Sequence, residues 1–160
     1  KHLSSHTERK VKEQLQQLAT DLGIAKRIIW IESAPHADVP RYINLMDTLI
    51  LPSETTYQFK TLSAVGWKEQ FGHVIIEAMA CRVPVIGSDS GEIPHVIQQD
   101  GLVFPEGDAD ALCEKIGLLI NQPDTQHELA EKGYQRAMRE YTNRALATKQ
   151  RDFNKTLGQA

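Results

Sequence analysis

Apolar residues recur along the chain in two patterns, one with a helical period and one in short unbroken runs. From Thr7 to Leu22 an apolar residue returns every three or four positions, which predicts an amphipathic helix that ends before Gly23. Residues 27–32, 48–52, 83–87 and 102–104 are short apolar runs, typical of strands covered on both faces. The apolar stripe of the first helix consists of Val11, Leu15, Leu18, Ala19 and Leu22.

Further helices are predicted between and after these strands. Asp38 is placed as the N-cap of a short helix with Pro40 in its first turn, and Asp108 as the N-cap of a longer helix. A third, very short helix is expected to be interrupted at Pro94. These helices cover residues 39–46, 71–82, 93–97, 109–121, 124–141 and 142–157. The inward face of the helix capped by Asp108 is predicted to consist of Leu112, Ile116, Leu119 and Ile120.

This alternation of strands and helices predicts an α/β fold, a doubly wound parallel sheet in one domain with additional C-terminal helices. Ligands of such sheets bind beyond the carboxyl ends of the strands. The loop before Phe71 and the turn at residues 88–91 both follow strands, so both are placed at that edge. Residues 53–68 form a long connection without periodicity, either a lid or binding loop or an ordinary surface loop. Its candidate contact residues are Tyr57, Phe59, Trp67 and Lys68.

Composition narrows the function classes without selecting one. The 160 residues are 41% hydrophobic and 24% charged, and the net charge of −3 gives no electrostatic reason to expect binding to nucleic acid or an anionic membrane. No apolar run approaches the roughly twenty residues that cross a bilayer, so a cytoplasmic location is expected. Cys81 and Cys113 lie among apolar residues of predicted helices and are expected to be buried free thiols.

The strongest chemical signal is a pair of glutamates around a predicted helix start. Glu69 ends a loop, Phe71 and Gly72 open the helix, and Glu77 lies in its second turn. The unpaired N–H groups and the dipole of a helix start attract anions, and a glycine there allows a phosphate to approach the backbone. Glu77 is about 7.5 Å further along the axis, where a carboxylate suits sugar hydroxyls. The combination indicates a nucleotide sugar; the alternative is a surface carboxylate before an ordinary helix.

The residues around this pair resemble the E-x7-E motif of retaining glycosyltransferases of the GT-B fold, family 4 (glycosyl transferases group 1). The resemblance covers about residues 20–145, and it implies the Rossmann-like, C-terminal, donor-binding half of a GT-B enzyme. Its specific part runs from Glu69 to Asp108. It consists of Glu69, Phe71-Gly72, Glu77-Ala78-Met79-Ala80, Pro84-Val85-Ile86, Ser88-Asp89-Ser90-Gly91-Glu92-Ile93-Pro94, Gly101-Leu102-Val103-Phe104-Pro105 and Gly107-Asp108.

The resemblance also implies roles for individual residues. Glu69 would contact the donor sugar or the charge that develops at its anomeric carbon, and Glu77 would accept hydrogen bonds from the ribose hydroxyls. The backbone amides of Phe71 and Gly72 would meet sugar hydroxyls, and those of His73 and Val74 the diphosphate. Further residues of the cleft or its lid would be Lys68, Trp67, Ser90, Gly91 and Glu92. No metal or other cofactor is expected, since Asp108-Ala109-Asp110 sits where aspartate caps a helix.

Two departures from the family pattern bear on these expectations. Arg82 stands where a glycine usually ends the helix, which leaves the geometry of that turn open. The arginine and lysine that clamp the diphosphate in relatives, and the N-terminal acceptor domain, find no match before Thr7. The expectation is a donor half lacking its first strands, inactive alone and prone to self-association through its sheet. The complete enzyme would serve bacterial polysaccharide or glycoconjugate synthesis, at most peripherally attached to the inner membrane.

Two alternatives remain open at this point. One is a GT-B-fold sugar-nucleotide epimerase, which would hydrolyse or isomerise its donor without a second sugar. The other is a non-catalytic module for nucleotide binding or oligomerisation, in which nucleotide binding would not depend on Glu77.

Overall fold

The computed structural model describes residues 2–56 and 68–157, with side chains described for residues 9–56 and 68–155. The chain divides into two compact units, Lys1–His36 and Ala37–Ala160. Tyr57, Phe59 and Trp67, three of the candidate residues of the long connection, lie outside the described residues.

The first unit contains one long helix, α1 (His2–Asp21), followed by a 3-10 turn at Ala25–Arg27. Gly23 has a φ of 68° and ends α1 in the left-handed conformation, as predicted. The predicted apolar stripe is largely uncovered: Ala19 is 4% exposed, whereas Leu18 is 52% and Leu22 62% exposed. Periodicity therefore predicted the helix correctly but did not show which face is buried.

The strand predicted over residues 27–32 is wrong. These residues form no strand, and Ile29 is 87% exposed. An apolar run becomes a parallel strand only when a neighbouring strand accepts and donates its backbone hydrogen bonds. Among the described residues no strand pairs with this segment. Within the unit, Glu32 of this segment forms an ion pair with Lys12.

The second unit is built on a parallel sheet of three strands in the order β1 (Leu49–Leu51), β2 (Val85–Ser88) and β3 (Leu102–Phe104). Ile86 of the middle strand lies opposite Ile50 on one side and Leu102 on the other. The helices are α2 (Val39–Ile43), α3 (His73–Ala80), α4 (Ile93–Ile97), α5 (Ala109–Asn121), α6 (Pro123–Glu140) and α7 (Asn143–Leu157).

Helices cover both faces of this sheet, which is the doubly wound arrangement predicted. One core contains Val85 of β2 with Ile75 of α3 and Ile97 of α4. The opposite core contains Ile86 of β2 and Leu119 of α5. Successive residues of the middle strand thus point into different cores, because side chains alternate along a strand. This explains why the strands are apolar without interruption.

Several local predictions need correction. Asp38 is the N-cap residue of α2, as predicted, but its carboxylate forms no cap hydrogen bond and instead pairs with Arg41 at 3.0 Å. Helix α2 ends at Ile43, and Pro94 lies in the first turn of α4 without interrupting it. Ile120, predicted to face inward, is 72% exposed. Both cysteines are free as expected, but Cys113 is exposed and Cys81 only partly buried.

Candidate functional site

The loops that follow the three strands are tied together at the carboxyl edge of the sheet. The hydroxyl of Ser88 donates to the carbonyl oxygen of Ser53 at 2.6 Å, which joins the end of β2 to the loop after β1. The backbone N–H of Glu106 donates to Asp89 Oδ1 at 2.7 Å, which joins the loops after β3 and β2. This is the edge at which parallel sheets bind ligands. It is also the edge at which α3 begins.

Gly72 shapes the start of α3. It is the N-cap residue, is buried, and has a φ of 63° and a ψ of 53°, a left-handed conformation that residues with a Cβ rarely adopt. A Cβ at Gly72 would also lie 3.1 Å from Ile75 Cδ1 and 3.3 Å from Leu51 Cδ2. The glycine is therefore required by the turn and by packing.

Glu69 is held against this helix start by its side chain and by its backbone. Glu69 Oε1 accepts hydrogen bonds from the backbone N–H groups of Gly72 at 3.1 Å and Phe71 at 3.4 Å. The carbonyl oxygen of Glu69 accepts the N–H of Glu92 at 3.1 Å. The carboxylate thus occupies two of the amides that the resemblance assigns to sugar hydroxyls. The first two helical residues, His73 and Val74, have N–H groups without an intrahelical acceptor.

Glu77 lies one and a half turns into α3 and is half-buried. Among the described residues its carboxylate has no hydrogen-bond or ion-pair partner. Its charge is felt by Cys81, whose thiol pKa is raised first by burial and then by Glu77. A half-buried carboxylate without a partner loses part of its hydration and gains nothing in return, which is unfavourable in a purely structural residue. It is a favourable arrangement for a residue that accepts hydrogen bonds from a ligand.

Aromatic rings cover one side of the helix start. The rings of Phe71 and His73 are 4.9 Å apart, and Tyr141 meets Phe71 edge-on at 5.9 Å. His73 is exposed, whereas Val74 is half-buried and packs against the core. The side chain of Val74 is therefore structural, so only its backbone N–H can serve a ligand.

The turn after β2, which was predicted to form a wall of the cleft, approaches Glu69 closely. Gly91 has a φ of 56°, and a Cβ built on it would lie only 2.0 Å from the carbonyl oxygen of Glu69. Ser90 is 1% exposed, and Glu92 is exposed and pairs with His95 at 3.3 Å. Lys68 is exposed beside Glu69. The structure therefore brings the turn after β2 next to Glu69 and the start of α3.

Thr55 and Glu106 also belong to this edge, although no motif indicated them. The Glu106 carboxylate accepts the N–H of Thr55 and also its hydroxyl, the latter at 2.8 Å. These bonds hold the pKa of Glu106 below its usual range, the backbone N–H contributing most. The only indication in the sequence was the position of Glu106, since Pro105-Glu106-Gly107 follows a predicted strand. All carboxyl ends of a parallel sheet meet at one edge, so Glu106 is placed at that edge.

Arg82 forms the turn after α3 although it is not a glycine. It adopts the left-handed conformation with a φ of 57°, in the position where a glycine was expected. Its guanidinium lies 3.5 Å from the centre of the Tyr134 ring and pairs with Glu131 at 3.0 Å. Both contacts reach α6, so the strained turn is stabilised by side-chain interactions that a glycine would not make.

Asp108 caps α5 by accepting the N–H of Ala111 at 2.9 Å, as predicted. Within residues 2–56 and 68–157, no group of three or more metal-ligating side chains is brought together. In the same part of the chain, no helix combines the length and apolar character needed to cross a membrane.

Comparisons with known proteins identify the family. Residues 8–136 match the family described as glycosyl transferases group 1, and the chain belongs to this family. A relative in Mycolicibacterium smegmatis, a GDP-mannose-dependent alpha-(1-6)-phosphatidylinositol monomannoside mannosyltransferase, is 31% identical over 113 residues, or 69% of this chain. The chain spans 28% of that protein's length.

Solved structures identify the fold as the Rossmann-like half of a GT-B glycosyltransferase. The Anabaena protein HepE in complex with UDP superimposes with a TM-score of 0.76 at 22% identity, covering 96% of this chain and 38% of that one. The C-terminal domain of the group 1 protein LpcC from Francisella tularensis gives a TM-score of 0.69 at 25% identity, covering 84% of this chain and 64% of that one. The predicted family and fold are confirmed.

Proposed function

We propose that this chain is the donor-binding domain of a retaining glycosyltransferase that uses a nucleotide-diphosphate sugar. The observation that carries the proposal is the half-buried carboxylate of Glu77, which has no partner among the described residues. It lies on the helix whose N-terminus meets the loops of the sheet edge. The diphosphate would lie before the N–H groups of His73 and Val74, and Glu77 would accept the ribose hydroxyls. The names of the relatives, which include GDP-mannose dependence and a complex with UDP, support this choice of ligand.

Glu69 is proposed as the residue closest to the anomeric carbon of the donor sugar, where the reaction takes place. In the structure its carboxylate accepts the N–H groups of Gly72 and Phe71. With a donor bound, the same carboxylate would turn to the sugar hydroxyls or to the positive charge that develops at the anomeric carbon. The amides of Phe71 and Gly72 would then be free for the sugar. Since its backbone is held by Glu92, only the side chain needs to move.

Transfer would proceed by electrostatic stabilisation of an oxocarbenium-like transition state and of the departing diphosphate. No metal enters this scheme, because the helix start supplies the positive potential. The acceptor and its acid/base chemistry are assigned to the remainder of the complete enzyme. One relative acts in amylovoran biosynthesis and another on phosphatidylinositol monomannoside, which supports a role in bacterial polysaccharide or glycoconjugate synthesis.

The proposal is tested by calorimetric titration of the chain with UDP, GDP and ADP. Replacing Glu77→Ala should weaken the preferred nucleotide by about 1.5–3 kcal/mol, the contribution of hydrogen bonds to a charged group. Glu114→Ala is the matched control, since Glu114 is an exposed carboxylate of α5 without a partner among the described residues. Equal affinities of the two variants would contradict the proposal.

A further inference from the structure

The imidazole of His73 is directed toward the N-terminal end of α3. His73 is the first residue of α3, and side chains in a helix lean toward its N-terminus. Its ring contacts the ring of Phe71, which precedes the N-cap Gly72, with centres 4.9 Å apart and planes at 56°. Phe71 is in turn met edge-on by Tyr141 at 5.9 Å. The imidazole therefore lies over the turn that leads into α3, which is the end where the diphosphate is proposed to bind.

The imidazole of His73 is also available to a ligand. The side chain is exposed, and in the part of the chain that the structure describes its ring nitrogens make no hydrogen bond or ion pair. The contact with Phe71 orients the ring but does not require either nitrogen. A protonated imidazole has two N–H donors, so it can donate to an oxygen of a ligand at the helix start.

The charges at the start of α3 favour a cation in this place. The Glu69 carboxylate accepts the N–H of Gly72, so the helix start already binds an anion of the chain itself. Glu77, four residues after His73 and on the same side of the helix, is a second carboxylate. The proposed donor adds a negative charge on each phosphate, whereas the helix dipole supplies only about half a positive charge. An imidazolium at His73 would offset part of this excess.

We propose that the side chain of His73 binds the donor diphosphate as an imidazolium, through a charge-assisted hydrogen bond to a phosphate oxygen. This inference rests on the proposed function, which assigns to the diphosphate only the backbone N–H of His73. It adds a cation supplied by the chain itself. It also makes binding of the donor depend on pH, because the proton that the imidazole takes up is required for the contact.

Ionisable groups of both signs lie on the elements that meet at the start of α3. They are Lys68 and Glu69 in the loop before α3, Glu77 of α3, Glu92 in the turn after β2 and Tyr141 at the end of α6. The carboxylates favour an imidazolium, whereas the helix start and the lysine oppose it. A bound diphosphate shifts this balance toward the imidazolium. Binding should therefore be tighter at the acidic end of the range in which histidine changes charge, about pH 5–8.

The experiment measures the affinities of the full chain for UDP-glucose and GDP-mannose by calorimetry at about pH 6 and pH 8. Nucleotide sugars are used because they have no terminal phosphate that would itself titrate near pH 6. The original chain should bind its preferred donor roughly two- to fivefold more tightly at the lower pH, as expected for an exposed charge pair. His73→Gln should bind weakly at both. His73→Arg keeps a cation throughout and should bind tightly at both.

The alternative role of His73 is to pack its ring against Phe71 and nothing more. His73→Phe separates the two roles, since it keeps an aromatic ring but has no N–H to donate. If only packing matters, His73→Phe should bind the donor like the original chain. Under the proposal it should resemble His73→Gln. His127→Gln is the matched control, because His127 is an exposed histidine of α6 whose neighbour Gln126 contacts the loop before β1. It should leave the pH dependence unchanged.

Three results would overturn the inference. They are binding by the original chain that does not change with pH, a pH dependence that persists in His73→Gln, and His73→Arg that binds no better than His73→Gln at the higher pH. If Glu77→Ala still weakens binding in any of these cases, the proposed function stands. If neither nucleotide sugar binds the original chain, or Glu77→Ala has no effect, both the inference and the proposed function fail.

Discussion

The carboxylate of Glu69 accepts a hydrogen bond from the backbone N–H of Gly72 at 3.1 Å. This carboxylate is therefore the anion at the start of α3. A donor that places its own anion or hydroxyls there has to displace it. The contact makes the contribution of Glu69 to binding depend on which part of the donor is present.

Glu69→Ala is therefore expected to tighten binding of a nucleoside diphosphate that lacks the sugar. Removal of a competing charge from a helix N-terminus should improve affinity by about 0.3–1 kcal/mol, or roughly two- to fivefold. The sugar-bearing donor should gain less or bind more weakly, because its hydroxyls lose a partner. Calorimetric comparison of UDP with UDP-glucose, or of the corresponding guanosine pair, measures both effects. Weaker binding of the bare diphosphate would contradict this account of Glu69.

Gly91→Ala should damage the site through the backbone of Glu69. The new Cβ would lie 2.0 Å from the Glu69 carbonyl oxygen, so that the turn or the helix start has to move. Gly107→Ala is the matched control, since Gly107 also has a positive φ, of 77°, but its nearest contact is Glu54 Oε1 at 3.9 Å. We expect Gly91→Ala to lower the free energy of unfolding by about 1–3 kcal/mol more than Gly107→Ala. Chemical denaturation measures the difference, and equal losses would show that the contact is easily relieved.

Substitutions of Arg82 compare the free energy lost to backbone strain in this turn with the free energy gained from the contacts of the arginine side chain. Arg82→Ala keeps the left-handed φ but loses the contacts with Glu131 and Tyr134, so it should lower the free energy of unfolding. Arg82→Gly loses the same contacts but relieves about 1–2 kcal/mol of backbone strain, and it should therefore be close to the original chain. Denaturation curves give the order. If Arg82→Gly is less stable than Arg82→Ala, the turn is not strained.

The junction of α6 and α7 should be sensitive to acid. The pKa of Glu140 is lowered from 4.5 to about 2, first by its hydrogen bond to Lys149 and then by that to Arg139. Because the folded-state pKa is the lower one, the ion pairs stabilise fully above about pH 4.5, and this contribution is lost as the pH falls through about 2. The difference in melting temperature between the original chain and Glu140→Gln should shrink over that range. A difference independent of pH would exclude the ion pairs as its cause.

The sequence predicted the parts of the fold in which one local rule dominates. The strand Leu102–Phe104 was predicted to the residue, and Asp108 caps α5 as its position indicated. The start of α3 was also predicted, because Gly72 and the apolar run after it both indicate a helix that begins at this position. In these places turn chemistry, capping and apolar pattern all favour the same structure.

Predictions failed where the structure of a segment depends on residues that are distant in the sequence. Residues 27–32 have the composition of a strand but find no pairing partner among the described residues. The stripe of α1 has a helical period, yet most of it is exposed. Glu106 could not be recognised because its importance comes from Thr55 and Asp89, which only the folded sheet edge brings to it. Pairing, burial and long-range hydrogen bonds are properties of the assembled structure.

The central claim is that Glu77 binds the ribose of a nucleotide, and one double-variant cycle tests it most directly. The preferred nucleoside diphosphate and its dideoxy form, which lacks both ribose hydroxyls, are titrated against the original chain and against Glu77→Ala. In the original chain, loss of the hydroxyls should weaken binding by about 1.5–3 kcal/mol. In Glu77→Ala the two nucleotides should bind almost equally, since the partner of the hydroxyls is gone. The same loss in both proteins would show that the ribose is recognised elsewhere, and it would contradict the account of this site.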